Sequence, residues 1–308
     1  MPQSLIRSID PISLCVGRYT TPAGFFLSRG RTQHLSGDCV SSAYTSAEQD
    51  TVIVTSEAIV LKTRKYRESS KLVSIYTRDH GKCSLVAKGS RRVKSALGSP
   101  LEPLACSHVT FYKRRNADLH TAAKAETAVS FRNLSESFDK LTLGLTMAEA
   151  INNTQMADDA HPELYDFFKA CLLRLDSAGE DCKGVLLYFY FGLSDFLGFA
   201  MSPKRCPRSN SMVDPASSAW FAVSLADGAP LTTQSAGDSA GPLRLRSETL
   251  RYLQALADCP DINGFDAACD ARIWQELRDL FSRYFVHHLD KPVNWRTDQF
   301  LAAMSGVP

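Results

Sequence analysis

The sequence predicts an α+β protein in which a small β-barrel is followed by an α-helical domain with an irregular insertion. Apolar residues alternate along five short segments within about 75 residues, a pattern typical of a small closed or partly open barrel. After Ser135 they instead recur every three to four residues, which indicates helices. We therefore divide the chain into a disordered or weakly ordered extension (1–50), a barrel (51–130) and a helical domain (131–308).

The five predicted strands rest on β-branched residues, alternation and turn signals. The first segment, TVIVTSEAIVLKT, is rich in valine, isoleucine and threonine, and the second places Val73 and Ile75 on one face. Gly81 supplies the positive φ that the connection between the second and third strands needs. The predicted strands are 51–63, 71–77, 83–88, 108–114 and 118–126.

The helical half shows clear periodicity on both sides of one irregular stretch. Pro162 suits the first turn of a helix, and residues 185–199 are apolar nearly all round, which predicts a central buried helix. Residues 202–243 contain five prolines and many serines and have no clean period, so we predict an irregular insertion there. The predicted helices are 135–151, 163–175, 185–199, 247–257 and 273–289.

Positive charge is concentrated in the barrel. Residues 51–115 contain fourteen Lys and Arg against four carboxylates, whereas the whole chain has a net charge of only +2. Most of the cations form three clusters, at residues 62–67, 88–94 and 113–115. A single cluster of this kind is usually a solvated face, but three in one short barrel, offset by an acidic remainder of the chain, favour a polyanion partner. Because loops on one rim of a barrel converge, we predict that these clusters form one nucleic-acid surface. The candidate residues are Lys62, Arg64, Lys65, Arg67, Lys88, Arg91, Arg92, Lys94, Lys113, Arg114 and Arg115.

Aromatic residues lie among these cations. Tyr66, Tyr76 and Tyr112 are candidate platforms for stacked bases, whereas Phe111 alternates with Val109 and is predicted to belong to the core. The residues favoured for phosphate contacts are Lys62, Arg64, Lys88, Arg91, Arg92 and Lys94.

The sequence contains little that indicates catalysis, a membrane span or disulfides. We find no GxxxxGK[ST] phosphate loop and no nucleophile–base arrangement. The adjacent His287 and His288 would point about 100° apart on a helix, which is a poor geometry for binding one metal ion. The nine cysteines are odd in number and lack CxxC spacing, which indicates reduced thiols in a cytoplasmic protein. No apolar run is long enough to cross a bilayer. We predict a protein that is not an enzyme.

Several of these segments resemble the RecO family of bacterial recombination mediators. The first is EAIVLKTRKYRESSKLVSIYTRDHGKCSLVAKGSRRVKSALGSPLEP (57–103), and DFLGFAM (195–201) and RYFVHHLDKPVNWRTDQFL (283–301) resemble the family's central helix exit and closing helix. The resemblance implies an OB-fold barrel that binds single- and double-stranded DNA and anneals complementary strands without ATP. It also implies the partners RecR and single-strand binding protein, the loading of RecA recombinase, the RecF pathway and a nucleoid-associated location.

The chain departs from the family at a zinc site. Many members carry a four-cysteine zinc ribbon after the central helix, but here the region holds Cys206 alone, and Ser209 stands at the CxxC partner position. A structural zinc site needs four ligands, so we predict no zinc and no other cofactor.

Two other functions remain open from the residues themselves. One is an RNA-binding OB-fold module, because no residue identifies a reader of the 2′-hydroxyl. The other is a non-enzymatic scaffold whose basic barrel docks an acidic protein.

Overall fold

The computed structural model describes residues 51–115, 117–232, 243–265 and 268–289. The weakly ordered extension predicted for residues 1–50 lies outside these ranges, as do residues 233–242 of the insertion and residues 290–308.

Five strands form the N-terminal barrel in the order β1-β2-β3-β5-β4, and β4 pairs back onto β1. All the pairings are antiparallel except the one between β3 and β5, which is parallel and only two residue pairs long. This strand order is consistent with an OB-fold, and the α+β class is confirmed. The strands are β1 Thr51–Tyr66, β2 Ser70–Thr77, β3 Gly81–Ala87, β4 Cys106–Arg114 and β5 His120–Val129.

The alternation of apolar residues builds the barrel interior. Val60 of β1 faces Ile75 of β2, and both are fully buried together with Leu85 and Phe111. The long β1 pairs with β4 through its first half and with β2 through its second half. A bulge between Val60 and Lys62 interrupts the register with β2 and marks the bend that lets one strand serve both neighbours.

The connection between β3 and β4 closes one opening of the barrel. It contains a short 3₁₀ helix, Ser99–Leu101, and Leu101 is buried against the barrel core with Leu97 and Ala105 packed beside it. At the β2–β3 turn, Gly81 has φ of +66°, as the turn signal predicted. A side chain there would also collide with the backbone of Asp159, so the glycine allows the helical half to approach closely.

Within the part of the chain that the structure describes, six helices follow the barrel. Helix α4 is buried along most of its length, which confirms the predicted central helix, and Pro162 begins α3 as expected. Within the described residues, no helix combines the length and apolar character needed to cross a membrane. The helices are α1 Arg132–Glu136, α2 Phe138–Thr154, α3 Pro162–Ser177, α4 Lys183–Phe196, α5 Ser247–Asp258 and α6 Ala271–Leu289.

The insertion contains regular structure that the sequence did not reveal. Strands β6 (Trp220–Ser224) and β7 (Ala229–Leu231) of the insertion form an antiparallel sheet with β8 (Arg244–Arg246), which follows the insertion directly, in the order β7-β6-β8. Strands of three to five residues are too short to establish an alternating period, and Pro230 argued against a strand. Its position on the edge strand β7 resolves that conflict.

A polar cluster joins the barrel to the helices. The Glu57 carboxylate accepts hydrogen bonds from the Tyr165 hydroxyl at 2.9 Å and from the Lys169 ammonium at 2.6 Å. Arg78 donates two hydrogen bonds to Asp166, at 2.9 and 2.8 Å. Burial by itself raises the pKa of Glu57, but the bonds from Lys169 and Tyr165 outweigh burial and hold the pKa below its usual value of 4.5.

This cluster predicts an acid-sensitive junction. The stability that ionised Glu57 contributes is present above its usual pKa and is lost as pH falls through its lowered folded-state pKa. We therefore expect the free energy of unfolding to fall more steeply below about pH 4.5 in the wild-type chain than in Glu57→Gln. Urea titrations between pH 3 and 7 measure this, with Glu126→Gln at an exposed ion pair as the control. Identical slopes for all three proteins would contradict the prediction.

Candidate nucleic-acid interface

Three connections of the barrel meet at one rim. The parallel pairing of Leu85 with His120 places the end of β3 beside the start of β5, and the β1–β2 hairpin lies next to both because Lys71 pairs with Ala87. The connections enclose a cleft of about 740 Å³, which we call the rim cleft. Its lining residues are Tyr66, Arg67, Glu68, Ser69, Ser70, Val86, Lys88, Gly89, Arg92, Arg114, Leu119, His120 and Thr121.

The rim cleft brings together members of all three basic clusters. Arg67 comes from the hairpin, Lys88 and Arg92 from the connection after β3, and Arg114 from the end of β4. All four residues are exposed, and Glu68 is the one carboxylate among the lining residues. Four cations converging on one concave surface make the rim cleft a candidate site for the phosphate groups of a polyanion.

Arg91 holds two of these connections together. Its backbone N–H donates to the Ser69 carbonyl at 3.1 Å, and its guanidinium Nη1 donates to the Glu68 carbonyl at 2.9 Å. The chain beyond it forms successive turns, with Arg92 N–H bonded to Gly89 and Ser95 N–H bonded to Arg92, each at 3.0 Å. Arg91, favoured from the sequence as a phosphate contact, thus also orders the cationic loop before any ligand binds.

His120 supports the opposite side of the rim cleft. It is buried, its ring stacks on Phe111 at 5.9 Å, and its Nδ1 accepts a hydrogen bond from the Arg114 backbone N–H at 3.3 Å. Burial lowers the pKa of His120, which favours the neutral ring that this acceptor role requires. The histidine is therefore a support for Arg114, and the sequence offered no sign of this because the partner depends on the barrel's closure.

Other predicted cations lie outside the rim cleft. Lys62 and Arg64 are exposed on β1, opposite Ser74 and Leu72 of β2, and Lys65 lies opposite Lys71. Lys94, in the turns after Arg92, and Arg115, after β4, are also exposed and are not among the residues that line the rim cleft.

Lys113 differs most from its predicted role. Its ammonium forms an ion pair with the Asp158 carboxylate at 2.7 Å, across the boundary between barrel and helices. Asp158 is held in a left-handed conformation, with φ of 58°, and its backbone N–H donates to the Lys82 carbonyl at 3.0 Å. Because a carboxylate of the helical half neutralises this charge, we remove Lys113 from the candidate phosphate contacts.

The aromatic residues divide between surface and core. Tyr66 lines the rim cleft with the Arg67 guanidinium 5.3 Å from its ring, and Tyr112 is partly exposed on the outer face opposite Ile53. Phe111 is fully buried, as its alternation predicted. Tyr76 is also fully buried, so the prediction that it forms a stacking platform is wrong: it faces outward from β2 but is covered by the helical half.

Comparisons with known proteins assign the chain to a family. A model described as the N-terminal part of recombination protein O matches residues 52–131, and one described as its C-terminal part matches residues 135–296. The chain belongs to the RecO family. It is 30% identical to the DNA repair protein RecO of Salinibacter ruber over 255 residues, which are 83% of this chain and 95% of the relative. It is 33% identical to the DNA repair protein RecO of a Nocardioides species over 238 residues, which are 76% of this chain and 94% of the relative.

Membership of the RecO family assigns the chain to DNA repair and recombination, with DNA binding as part of that role. The first family match ends at residue 131 and contains the whole rim cleft. The resemblance noted in the sequence is therefore confirmed over both halves of the chain.

The zinc ribbon of RecO proteins does not fit the residues present here. Cys206 is fully buried among apolar side chains, including Val213 and Phe221. Ser209, at the partner position, is exposed and its hydroxyl lies 2.7 Å from that of Ser211. A hydroxyl in place of a thiolate and a single buried cysteine, whose sulfur accepts a hydrogen bond from the Thr232 hydroxyl at 3.9 Å, do not provide a tetrahedral thiolate site.

One other group within the described residues has metal-ligand chemistry, namely Cys83, His120 and Asp158. Asp158 already binds the Lys113 ammonium, and the acceptor role of His120 Nδ1 leaves the proton on Nε2. Burial raises the pKa of the Cys83 thiol to about 12. The three side chains thus have other roles in this structure: Asp158 is ion-paired, His120 accepts a hydrogen bond, and the Cys83 thiol is protonated at neutral pH.

The role of Arg91 can be separated from that of its neighbour. In Arg91→Ala the guanidinium bond to Glu68 is lost, which costs about 1 kcal/mol locally and should speed amide exchange of residues 66–70 by about fivefold. Arg92→Ala should leave that exchange unchanged, since no hydrogen bond of its side chain is found within the described residues. Hydrogen–deuterium exchange on both variants measures the difference, and equal rates would contradict the positioning role of Arg91.

Proposed function

We propose that this RecO-family chain is a recombination mediator that binds single- and double-stranded DNA at the rim cleft and anneals complementary strands without ATP. The observation that carries the proposal is the convergence of Arg67, Lys88, Arg92 and Arg114 from three separate connections. The further role, loading RecA recombinase on gaps coated by single-strand binding protein together with RecR, rests on membership of the family.

Annealing at this surface needs charge neutralisation and no covalent step. Two complementary strands repel each other, and cations on a protein surface lower that repulsion while leaving the base edges free to pair. Binding through phosphates is also indifferent to sequence, which an annealing protein requires. Because Arg91 and His120 hold the surrounding connections in place, little ordering cost accompanies binding.

We also propose that the chain is not an enzyme. What supports this is the state of the two thiols on barrel strands: burial raises the pKa of Cys83 on β3 to about 12 and that of Cys106 on β4 to about 11. Both therefore remain protonated and weakly nucleophilic at neutral pH.

The annealing proposal predicts a distinct effect for one charge reversal. We expect the full chain to speed the pairing of complementary DNA oligonucleotides without any nucleotide cofactor. Arg92→Glu should weaken single-strand binding alike for all sequences and make the slope of log affinity against log salt shallower by at least about 0.7, the contribution of one phosphate. If about five phosphates are neutralised, the wild-type slope should be roughly −3.5.

Lys124→Glu is the matched control, since it makes the same charge change on an exposed side chain of β5 that pairs with Glu126. It should bind and anneal as the wild type does. Equal losses in the two variants would reject the rim cleft as the site. Annealing of matched RNA strands in preference to DNA would instead favour an RNA-binding function.

The insertion should fold without zinc, which we propose because its lone Cys206 lies in an apolar cluster. We expect the purified chain to contain substoichiometric zinc. A chelator should leave its thermal midpoint unchanged, since metal removal unfolds only sites that the metal holds together. One zinc per chain, lost with a fall in the midpoint, would contradict this.

A further inference from the structure

The small sheet of the insertion exposes an aromatic–guanidinium pair. Trp220 of β6 lies opposite Arg246 of β8, and the guanidinium carbon is 5.0 Å from the centroid of the indole ring. The tryptophan is 46% exposed, a large fraction for the residue type with the greatest apolar area. The guanidinium covers only part of the indole ring, so the exposed part of the ring remains available to a planar partner.

The register places a second arginine on the same face. Ala222 pairs with Arg244, and side chains two residues apart on a strand share a face at a spacing of about 6.6 Å. Arg244 is exposed, whereas Phe221 and Leu245 point to the other face and are buried. The exposed face thus carries a ring and two cations side by side, and we call Trp220, Arg244 and Arg246 the Trp220 platform.

Glu276 of α6 fixes the pair in position. One of its carboxylate oxygens accepts the Arg246 backbone N–H at 3.0 Å and the Thr249 hydroxyl at 2.6 Å, and the other lies 3.2 Å from Arg246 Nε. The guanidinium is therefore in ion-pair contact with Glu276, and the backbone of the same residue is hydrogen-bonded to it. A ring and a cation that are already ordered lose little conformational entropy when a ligand binds.

The charge around the platform differs from that of the rest of the helical half. Residues 131–201 contain five Lys and Arg against eleven carboxylates, whereas residues 202–246 contain five against three. No ion pair of Arg244 is found within the described residues. Glu276 pairs with Arg246, so Arg244 supplies the platform's uncompensated positive charge. An exposed ring beside such a cation is complementary to a polyanion that offers planar groups, which describes a single-stranded nucleic acid.

We propose that the Trp220 platform is a second contact for single-stranded nucleic acid, separate from the rim cleft. A base stacks on the exposed part of the Trp220 ring, Arg246 supports the ring, and Arg244 pairs with a backbone phosphate. The proposal extends the proposed function and rests on it for the class of ligand. With two contacts, one chain holds two strands, or two stretches of one strand, at the same time.

Photo-crosslinking tests the platform directly. A thymidine oligonucleotide containing 5-iododeoxyuridine, irradiated with the full chain, should form a crosslink that maps to Trp220. Trp220→Ala should weaken binding by about fivefold or more, the lower range for one stacked base, and Trp220→Tyr should restore most of it. Arg244→Ala should make the salt slope shallower by about 0.7.

Two control variants accompany these. Met212→Ala removes another exposed apolar side chain of the insertion, and Arg272→Ala removes an exposed cation of α6. Both should bind as the wild type does, and circular dichroism checks that every variant is folded.

The outcomes separate this proposal from the proposed function. Absence of a Trp220 crosslink, with Arg244→Ala binding like the wild type, would overturn the platform, and the rim cleft would stand if Arg92→Glu still lost affinity. Wild-type binding by Arg92→Glu with a strong Trp220 crosslink would overturn the rim cleft instead. If Trp220→Ala weakened binding of a poly-glutamate peptide but not of the oligonucleotide, the surface would dock protein and the platform would be wrong.

Discussion

The parallel pairing between β3 and β5 is the constraint on which the candidate interface depends. It comprises only two residue pairs, Leu85 with His120 and Val86 with Thr121, yet it closes the ring of strands. Without it, β3 and β5 would be opposite edges of an open sheet, and the basic connection after β3 would lie far from the end of β4 beside β5. The buried His120 strengthens this seam, because its ring stacks on Phe111 and its Nδ1 holds the Arg114 backbone. The same two pairs therefore close the barrel and gather its cations.

The helical half decides which surfaces of the barrel remain available. It covers the outward-facing Tyr76 and Ile59. Its carboxylates Asp166 and Asp158 pair with the barrel residues Arg78 and Lys113, and its Lys169 pairs with Glu57 of β1. A cation paired with a carboxylate contributes little to attracting a polyanion, since the two charges cancel beyond a few ångströms. The rim cleft is left uncovered, and there four cations face solvent with one carboxylate among the lining residues.

The two proposed contacts share a physical design in which the binding groups are ordered before the ligand arrives. Arg91 ties the cationic loop to the hairpin, and Glu276 holds Arg246 over Trp220. Such ordering matters for a protein that binds without reading sequence, because each phosphate or stacked base contributes only modestly. Weak, ordered contacts also release a strand readily once it has paired, as annealing requires.

The sequence by itself determined the α+β class, most strands and helices, the turn at Gly81 and the excess of charge in the barrel. These features depend on the spacing of apolar residues, on backbone conformation and on composition, all of which are properties of residues close together in the sequence. The tertiary structure alone decided that Lys113 pairs with Asp158, that Tyr76 is covered, and that Trp220 meets Arg246 across a sheet with strands too short to show a period. Each of these depends on residues 26 to 89 positions apart, and the free energy that brings such residues together comes from packing of the whole domain.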